Sequence, residues 1–336
     1  MDGRVGDRPA RPSRFLRVRL GHNNIRGFPA TAAQARADEL VSHRRFCTIA
    51  ASSRDEPFVV CKKWLLQTSG GARMVASELR PESSVVAEVK PSPNHSERKG
   101  GDAPDMIVLH YTGMPDDQAA IRQLCNSSSE VSAHYVVLPD GYIIQLVAEA
   151  RRAWHAGTSS WAGESDVNSR SIGIEIANPG HDHGYPAFPK RQVAAVTALC
   201  RSIFTRHRIS ADRVLAHSDV APARKRDPGE KFPWKTLAAS GIGLWVEPAP
   251  IDPAGVIFTL GETNPAIEEA QTLLAKYGYD VTASGYLDSA TRDVVAAFQR
   301  HFRPQRVDGI IDVSTTSTLK DLLAARDERL SAGKPG

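Results

Sequence analysis

Long apolar runs are missing from this chain. No stretch of about 18 consecutive apolar residues occurs, so a membrane-spanning helix is not expected, and the N-terminus has no apolar core of the kind a signal peptide carries. Cysteine is scarce. The four cysteines, Cys47, Cys61, Cys125 and Cys200, form no C-x-x-C pair; they are too scattered for a disulfide framework in a chain of this length, and free thiols are expected. Cys61, preceded by Phe-Val-Val and followed by two lysines, is a poor lipidation site. A strong charge imbalance is also lacking. The formal net charge is +4 over 336 residues, with the basic residues gathered near the N-terminus instead of along one helix or strand, so a nucleic-acid partner is not expected.

What is present is ordinary globular material: 41% hydrophobic and 24% charged residues. At roughly 100–200 residues per domain, a chain this long suggests two folded units plus extras. Residues 1–82 are rich in Arg, Ser and Ala and show no sustained periodicity beyond scraps such as FVVCKKWLLQ, so this extension is expected to be disordered or weakly ordered. A start near Met74 would leave a compact protein beginning shortly before the first motif; peptides from residues 15–60 in the natural product would rule that out.

From Val85 onward the pattern changes. MIVLH (106–110) and SIGIEIAN (171–178) read as buried strands, and HYVVLPDGYIIQLV (134–147) as two strands about an Asp140-Gly141 turn. DDQAAIRQLCN (116–126) reads as a helix. So does PKRQVAAVTALCRSIFTRHR (189–208), with Val193, Val196, Cys200, Ile203 and Phe204 on one face and Pro189 in the first turn. VLAH (214–217) is a last short strand. Strands interleaved with helices predict an α/β fold, a mixed central sheet flanked by helices.

The proline-rich stretch EPAPIDPAG opens a linker over 247–264. Beyond it Gly285…Asp288…Thr291 and Gly309…Asp312…Thr315 repeat the pattern G-x-x-D-x-x-T, each opening an amphipathic helix with a natural N-cap. A small C-terminal three-helix bundle is expected over 265–325, followed by a tail, 326–336.

Three side chains have the chemistry of a catalytic zinc site: His110 and His217 at strand ends, and Asp227 in the loop RKRDPGEKFPW. Two imidazoles and a carboxylate leave a fourth position open, the mark of a catalytic over a structural zinc site. Spacing alone makes no motif of them, and each could equally be an unrelated core or surface group. Glu175 falls inside an apolar strand, where burial would raise its pKa toward that of a general base; strand alternation also permits it to face outward. Lys225 could stabilise an oxyanion or be one solvated charge in Arg224-Lys225-Arg226.

The segments LHYT (109–112), SAHYVV (132–137), AWHAG (153–157), SIGIEIAN (171–178) and AHSDVAPARKRDPGEKFPW (216–234) together resemble the type 2 N-acetylmuramoyl-L-alanine amidases, in family order from about Pro91 to Trp245. The resemblance implies a zinc amidase fold over 83–246 that cuts the amide between N-acetylmuramic acid and L-alanine in peptidoglycan or muropeptides. It implies one Zn2+ held by His110, His217 and Asp227, with Glu175 and Lys225 as catalytic residues and His134 and His155 lining the substrate cleft. AIEEAQTLLAKYGY, the G-x-x-D-x-x-T pattern and VVAAFQRHFRP are similar to the type 1 peptidoglycan-binding domain. The partner expected is therefore peptidoglycan or its fragments, with the chain acting as a monomer. The compartment stays open: the cell envelope if an unseen signal exports the chain, the cytoplasm otherwise.

Overall fold

The computed structural model describes residues 79–100 and 103–332; the expectations for residues 1–78 lie outside them. In chain order the elements are β1 (Glu88–Val89), β2 (His95–Glu97), β3 (Met106–Tyr111), α1 (Asp117–Leu124), β4 (Tyr135–Val137), β5 (Ile143–Gln145), β6 (Arg151–Ala153), α2 (Val167–Arg170), β7 (Ser171–Ile176), α3 (Lys190–Arg206), β8 (Val214–Ala216), α4 (His217–Val220), α5 (Trp234–Ala238), β9 (Ile257–Phe258), α6 (Pro265–Tyr277), α7 (Ser289–Phe302), β10 (Ile311–Asp312) and α8 (Val313–Ala332), besides short 3-10 turns.

Six of the strands form one mixed sheet in the order β1-β5-β4-β7-β3-β8. Only β4 and β5 run antiparallel; the remaining neighbours are parallel. β3 and β7 lie inside the sheet with both faces covered, which is why their sequences read as near-continuous apolar runs and do not alternate. The turn between β4 and β5 has Gly141 at φ +91°, and the Asp140 carboxylate accepts a hydrogen bond from Tyr142 N at 2.9 Å, the side-chain turn chemistry that an Asp-Gly pair favours.

The two faces of the sheet meet different partners. Ile107, Leu109, Ile172, Ile174 and Ile176 pack with Val193, Val196, Leu199, Cys200 and Ile203 of α3 in one core, with Phe204 at its margin. α3 begins at Lys190, so Pro189 is its N-cap and stands one step before the first turn where the sequence put it. Met106, Val108 and Leu215 point the other way. They join a core that contains Trp161, Val220 and Leu244 together with Ile267, Leu274, Tyr277, Val295 and Phe298 of the C-terminal helices. The proline-rich stretch therefore does not separate two hydrophobic interiors.

The C-terminal repeat has a physical basis that its glycines and aspartates only hint at. Gln271 on α6 accepts from the N–H groups of Ser284 and Gly285 and donates to Tyr286 O and Thr291 Oγ1. Gln299 on α7 accepts from Asp308 N and Gly309 N and donates to Ile310 O and Thr315 Oγ1. Each buried glutamine pins one G-x-x-D-x-x-T turn, and Asp288 and Asp312 then cap the threonine N–H at 2.7 Å. α8 runs on to Ala332, so the expected tail from 326 continues as helix.

Candidate metal centre and cleft

Sheet register brings the site together. β3 and β8 pair Leu109 with Ala216, so His110 and His217, each one residue further on, emerge side by side. His217 is the first residue of α4 and not the last of the strand. The loop after α4 returns over it, with Ser218 N donating to Asp227 O at 3.0 Å. The nearest donor atoms are then His110 Nδ1 and His217 Nδ1, 2.9 Å apart, with Asp227 Oδ2 at 3.2 Å from the first and 2.9 Å from the second. All three residues are buried, and among the described residues they are the one such group that could hold a metal ion.

Does this group fit a zinc ion? Ligands at about 2.0–2.2 Å in tetrahedral array are about 3.4 Å from one another, so the three atoms need spread by only a few tenths of an ångström. The proton ordering fits as well. His217 Nε2 faces the Ala156 carbonyl at 3.2 Å; a carbonyl only accepts, so Nε2 carries the proton and Nδ1 presents its lone pair. For His110 the order is set further away. Ser171 Oγ donates to Val167 O at 2.6 Å, which leaves it to accept from His155 Nε2 at 3.2 Å. His155 Nδ1 then accepts from His110 Nε2 at 3.1 Å, and His110 Nδ1 is likewise a free lone pair. Both rings are thus oriented by a neighbour at the nitrogen that faces away from the metal position, the usual support for a metal-ligating histidine.

Electrostatics agrees with a ligand set ready to bind a cation. Burial, with the neighbouring His217 adding to it, brings the His110 pKa down to about 4, against the pull of Asp227. Burial alone would raise the Asp227 carboxyl, but the imidazoles of His217 and His110 hold it below the usual carboxylate range. The shifts favour neutral imidazole at His110 and carboxylate at Asp227, the forms that ligate.

Glu175 is paired across the sheet with His110 and shares its face. It lines, with His217, Asp227, Lys225 and His155, a cavity of about 370 Å³. Its Oε2 is sealed from water and has no hydrogen-bond partner. Burial, and after it the negative charge of Asp227, raises the Glu175 pKa well above the ordinary value, against Lys225. A carboxyl raised in pKa by burial and placed on a cavity wall is suited to taking and returning a proton.

The two remaining histidines part company. His155 reaches the cavity wall while lying beneath His110. His134 is fully buried and lies one layer behind: Gly173 N donates to its Nδ1 at 3.0 Å and its Nε2 faces Arg151 O at 3.0 Å. Burial, then the charge of Arg98, lowers its pKa to about 3. It is not part of the cavity lining. Of the tryptophans, Trp154 lines the cavity, whereas Trp161 and Trp234 are core.

Two supporting residues escaped the sequence reading. Asn168 Oδ1 accepts from both His155 N and Ala156 N, at 3.0 and 2.8 Å, and so fixes the backbone that orients the His110 and His217 rings. Gly173 leaves room for the His155 imidazole, whose Cγ would lie 2.4 Å from a Cβ at that position. A lone glycine inside an apolar strand is the one signal that could have marked such a close approach. Arg224, from the basic run, is occupied in bonding Ala156 O and Thr158 O. Tyr111, on the cavity rim, is held by His181 Nδ1 at 2.9 Å, and His181 in turn by Glu230.

Comparison with known proteins gives this geometry a family. The family model for N-acetylmuramoyl-L-alanine amidase matches residues 100–230, and one for a peptidoglycan binding domain matches 263–319. The N-acetylmuramoyl-L-alanine amidase AmiD of Escherichia coli K12 is 38% identical over 234 residues, covering 65% of this chain and 82% of the relative. Its solved complex with anhydro-N-acetylmuramic acid-L-Ala-D-gamma-Glu-L-Lys superposes with TM-score 0.56 at 34% identity, covering 69% of this chain and 98% of that one. AmpDh3 of Pseudomonas aeruginosa, in complex with anhydromuramic pentapeptide, gives TM-score 0.56 at 34% identity, over 68% of this chain and 95% of that one. With the fold, the clustered donors and these likenesses in agreement, this chain belongs to the N-acetylmuramoyl-L-alanine amidase family.

Proposed function

We propose that this protein is a zinc-dependent amidase that hydrolyses the bond between N-acetylmuramic acid and L-alanine, with residues 83–246 as its catalytic unit and the C-terminal helices as a peptidoglycan-gripping unit. The observation that carries this reading is the convergence of His110 Nδ1, His217 Nδ1 and Asp227 Oδ2 within 3.2 Å, on the sheet face that also bears Glu175. One zinc held by these three groups supplies Lewis acidity toward an amide carbonyl and lowers the pKa of water.

The chain's own residues do the rest. Glu175, on the cavity wall, accepts a proton from the attacking water and returns it to the departing L-alanine nitrogen. Lys225, on the same cavity wall, offers a positive charge where the carbonyl oxygen becomes negative. His155 keeps His110 in the ligating tautomer; it lies at the floor of the cleft, and His134 supports it from behind. No covalent enzyme intermediate is needed.

The solved complexes of the two relatives favour a muramoyl peptide as the ligand of this cavity, and the peptidoglycan binding domain favours the polymer as its source. Among the described residues no helix is long and apolar enough to cross a membrane. A non-catalytic wall-recognition protein is the second reading, and the complete donor set beside a general base disfavours it. Parallel digestion of whole sacculi and purified muropeptides, with and without chelator, tests the proposal. New L-alanine amino termini should appear from at least one substrate and vanish on chelation; none from either would refute it.

A further inference from the structure

A proline-rich linker ahead of a small helical module predicts a tethered grip with its own interior. The structure has instead a continuous core across the two parts and, at its centre, a buried polar junction that the catalytic chemistry does not use. Asp219 on α4 is 1% exposed. Its Oδ2 accepts from Ala216 N at 2.8 Å and faces His301 Nδ1 of α7 at 2.7 Å. Its Oδ1 accepts from the Tyr279 hydroxyl at 2.7 Å.

Both partners come from the C-terminal module and neither is free to swing. The His301 ring is stacked between Trp234 at 3.7 Å and Phe302 at 3.8 Å between centroids. Tyr279 packs edge-on against Trp161 at 5.0 Å, and Gly278, just before it, accepts from Ala162 N at 2.8 Å. A Cβ at Gly278 would lie 2.7 Å from the Trp161 ring, so the two parts meet at van der Waals contact.

What these residues hold is the turn that presents His217. α4 has four residues, too short to be stable on its own hydrogen bonds. Asp219 fixes its first turn through Ala216 N, while Ser218 N of the same turn carries the Asp227 carbonyl. A buried carboxylate left without partners would have to turn toward water, releasing Ala216 and loosening the turn between both groups.

We propose that Tyr279 and His301 are positioning residues for the metal centre: by clamping Asp219 they fix α4, so the C-terminal module completes the catalytic site besides gripping polymer. This rests on the reading of His217 and Asp227 as zinc ligands. The clamp makes no contact with substrate; it acts through Asp219.

The test uses the full chain with Tyr279→Phe, His301→Phe and the double substitution, each keeping an aromatic ring in the core. Zinc affinity is read by chelator competition, turnover on a soluble muropeptide that needs no wall grip, and sacculus binding by pelleting. The double variant is expected to bind zinc about 10–100-fold more weakly, the usual effect of losing a ligand's supporting contact. Its turnover should fall at limiting zinc and recover at excess zinc, with pelleting unchanged. Wild-type zinc affinity and wild-type turnover in a folded double variant would overturn the proposal, whatever the pelleting shows. Should the double variant not fold, Tyr279→Phe alone decides: weakened zinc binding supports the clamp and unchanged binding overturns it. A wild-type chain that takes up no zinc sinks the metal reading itself, whereas zinc uptake that the variants leave untouched sinks only the clamp.

Discussion

Replacing Gly173 by alanine adds one methyl group and asks whether the metal centre depends on the ring beneath it. Gly173 is in the middle of β7, paired with Val108, and its backbone is open to any residue, so the added Cβ acts through space alone. That atom would lie 2.4 Å from Cγ, 2.5 Å from Cδ2 and 2.7 Å from Nδ1 of His155. To regain ordinary contact the ring must retreat by about 1 Å, because real Cβ atoms essentially never approach within 3.0 Å. Asn168 holds its backbone, and Ser171 and His110 hold its two nitrogens, so the retreat breaks the 3.1 Å contact with His110. Overpacking of this kind costs about 1–3 kcal/mol of stability. Loss of a ligand's orienting partner weakens metal binding about 10–100-fold, or about 1.4–2.7 kcal/mol. Urea unfolding of the metal-free protein measures the first and chelator competition the second. His155→Ala removes the obstacle, so in that background Gly173→Ala should destabilise no further, a coupling of about 1–3 kcal/mol. Equal destabilisation in both backgrounds, or an unchanged zinc affinity in the single variant, would refute the reasoning.

Glu175→Gln should lower kcat by about 10²–10⁴-fold while leaving zinc stoichiometry intact; undiminished turnover would remove Glu175 from the reaction. His110→Ala or His217→Ala should abolish zinc occupancy by metal analysis of the purified protein, and a full equivalent of metal in either would dissolve the ligand set. Because the Glu175 pKa is raised on folding, first by burial and then by Asp227, the folded chain favours its protonated form. The stability that form confers is present below the unfolded value of about 4.3 and is lost as pH rises through the folded one. Metal-free Glu175→Gln should therefore gain on metal-free wild type as pH rises, in urea titrations, and a pH-independent difference would contradict the assignment.

The central sheet was legible because β3 and β7 are buried on both faces, a condition that writes itself into sequence as MIVLH and SIGIEI. α3 was legible because its apolar residues face one core at helical spacing. The clustering of His110, His217 and Asp227 was legible only through their neighbouring words. Strand ends far apart in the chain carry no sign that register will set His110 beside His217, and nothing in a histidine codon says whether Nδ1 or Nε2 will ligate. That choice is made by Ala156 O on one side and by the His155–Ser171–Val167 relay on the other, contacts that depend on Asn168 and Gly173 as much as on the histidines. His134 and His155 looked alike from their motifs and differ in space because the first ring, just before β4, is buried between Gly173 N and Arg151 O while the loop after β6 brings the second to the cleft.

The same limit explains the C-terminal module. A linker rich in proline reads as a tether because composition reports local stiffness and says nothing about what the next helix will meet. Nothing in AHSDV marks Asp219 as buried, and Tyr279 and His301 fall inside the expected three-helix bundle, until α7 is laid against α4. Burying a carboxylate between two domains is unfavourable unless its oxygens are bonded, and here the hydroxyl, the imidazole and the Ala216 amide supply those bonds together. A joint of that kind loses its satisfaction as soon as the parts separate, which a flexible tether would allow and a shared core resists. The arrangement therefore ties the geometry of the His217 turn to the presence of the module behind it, through a carboxylate only two residues along the chain from His217.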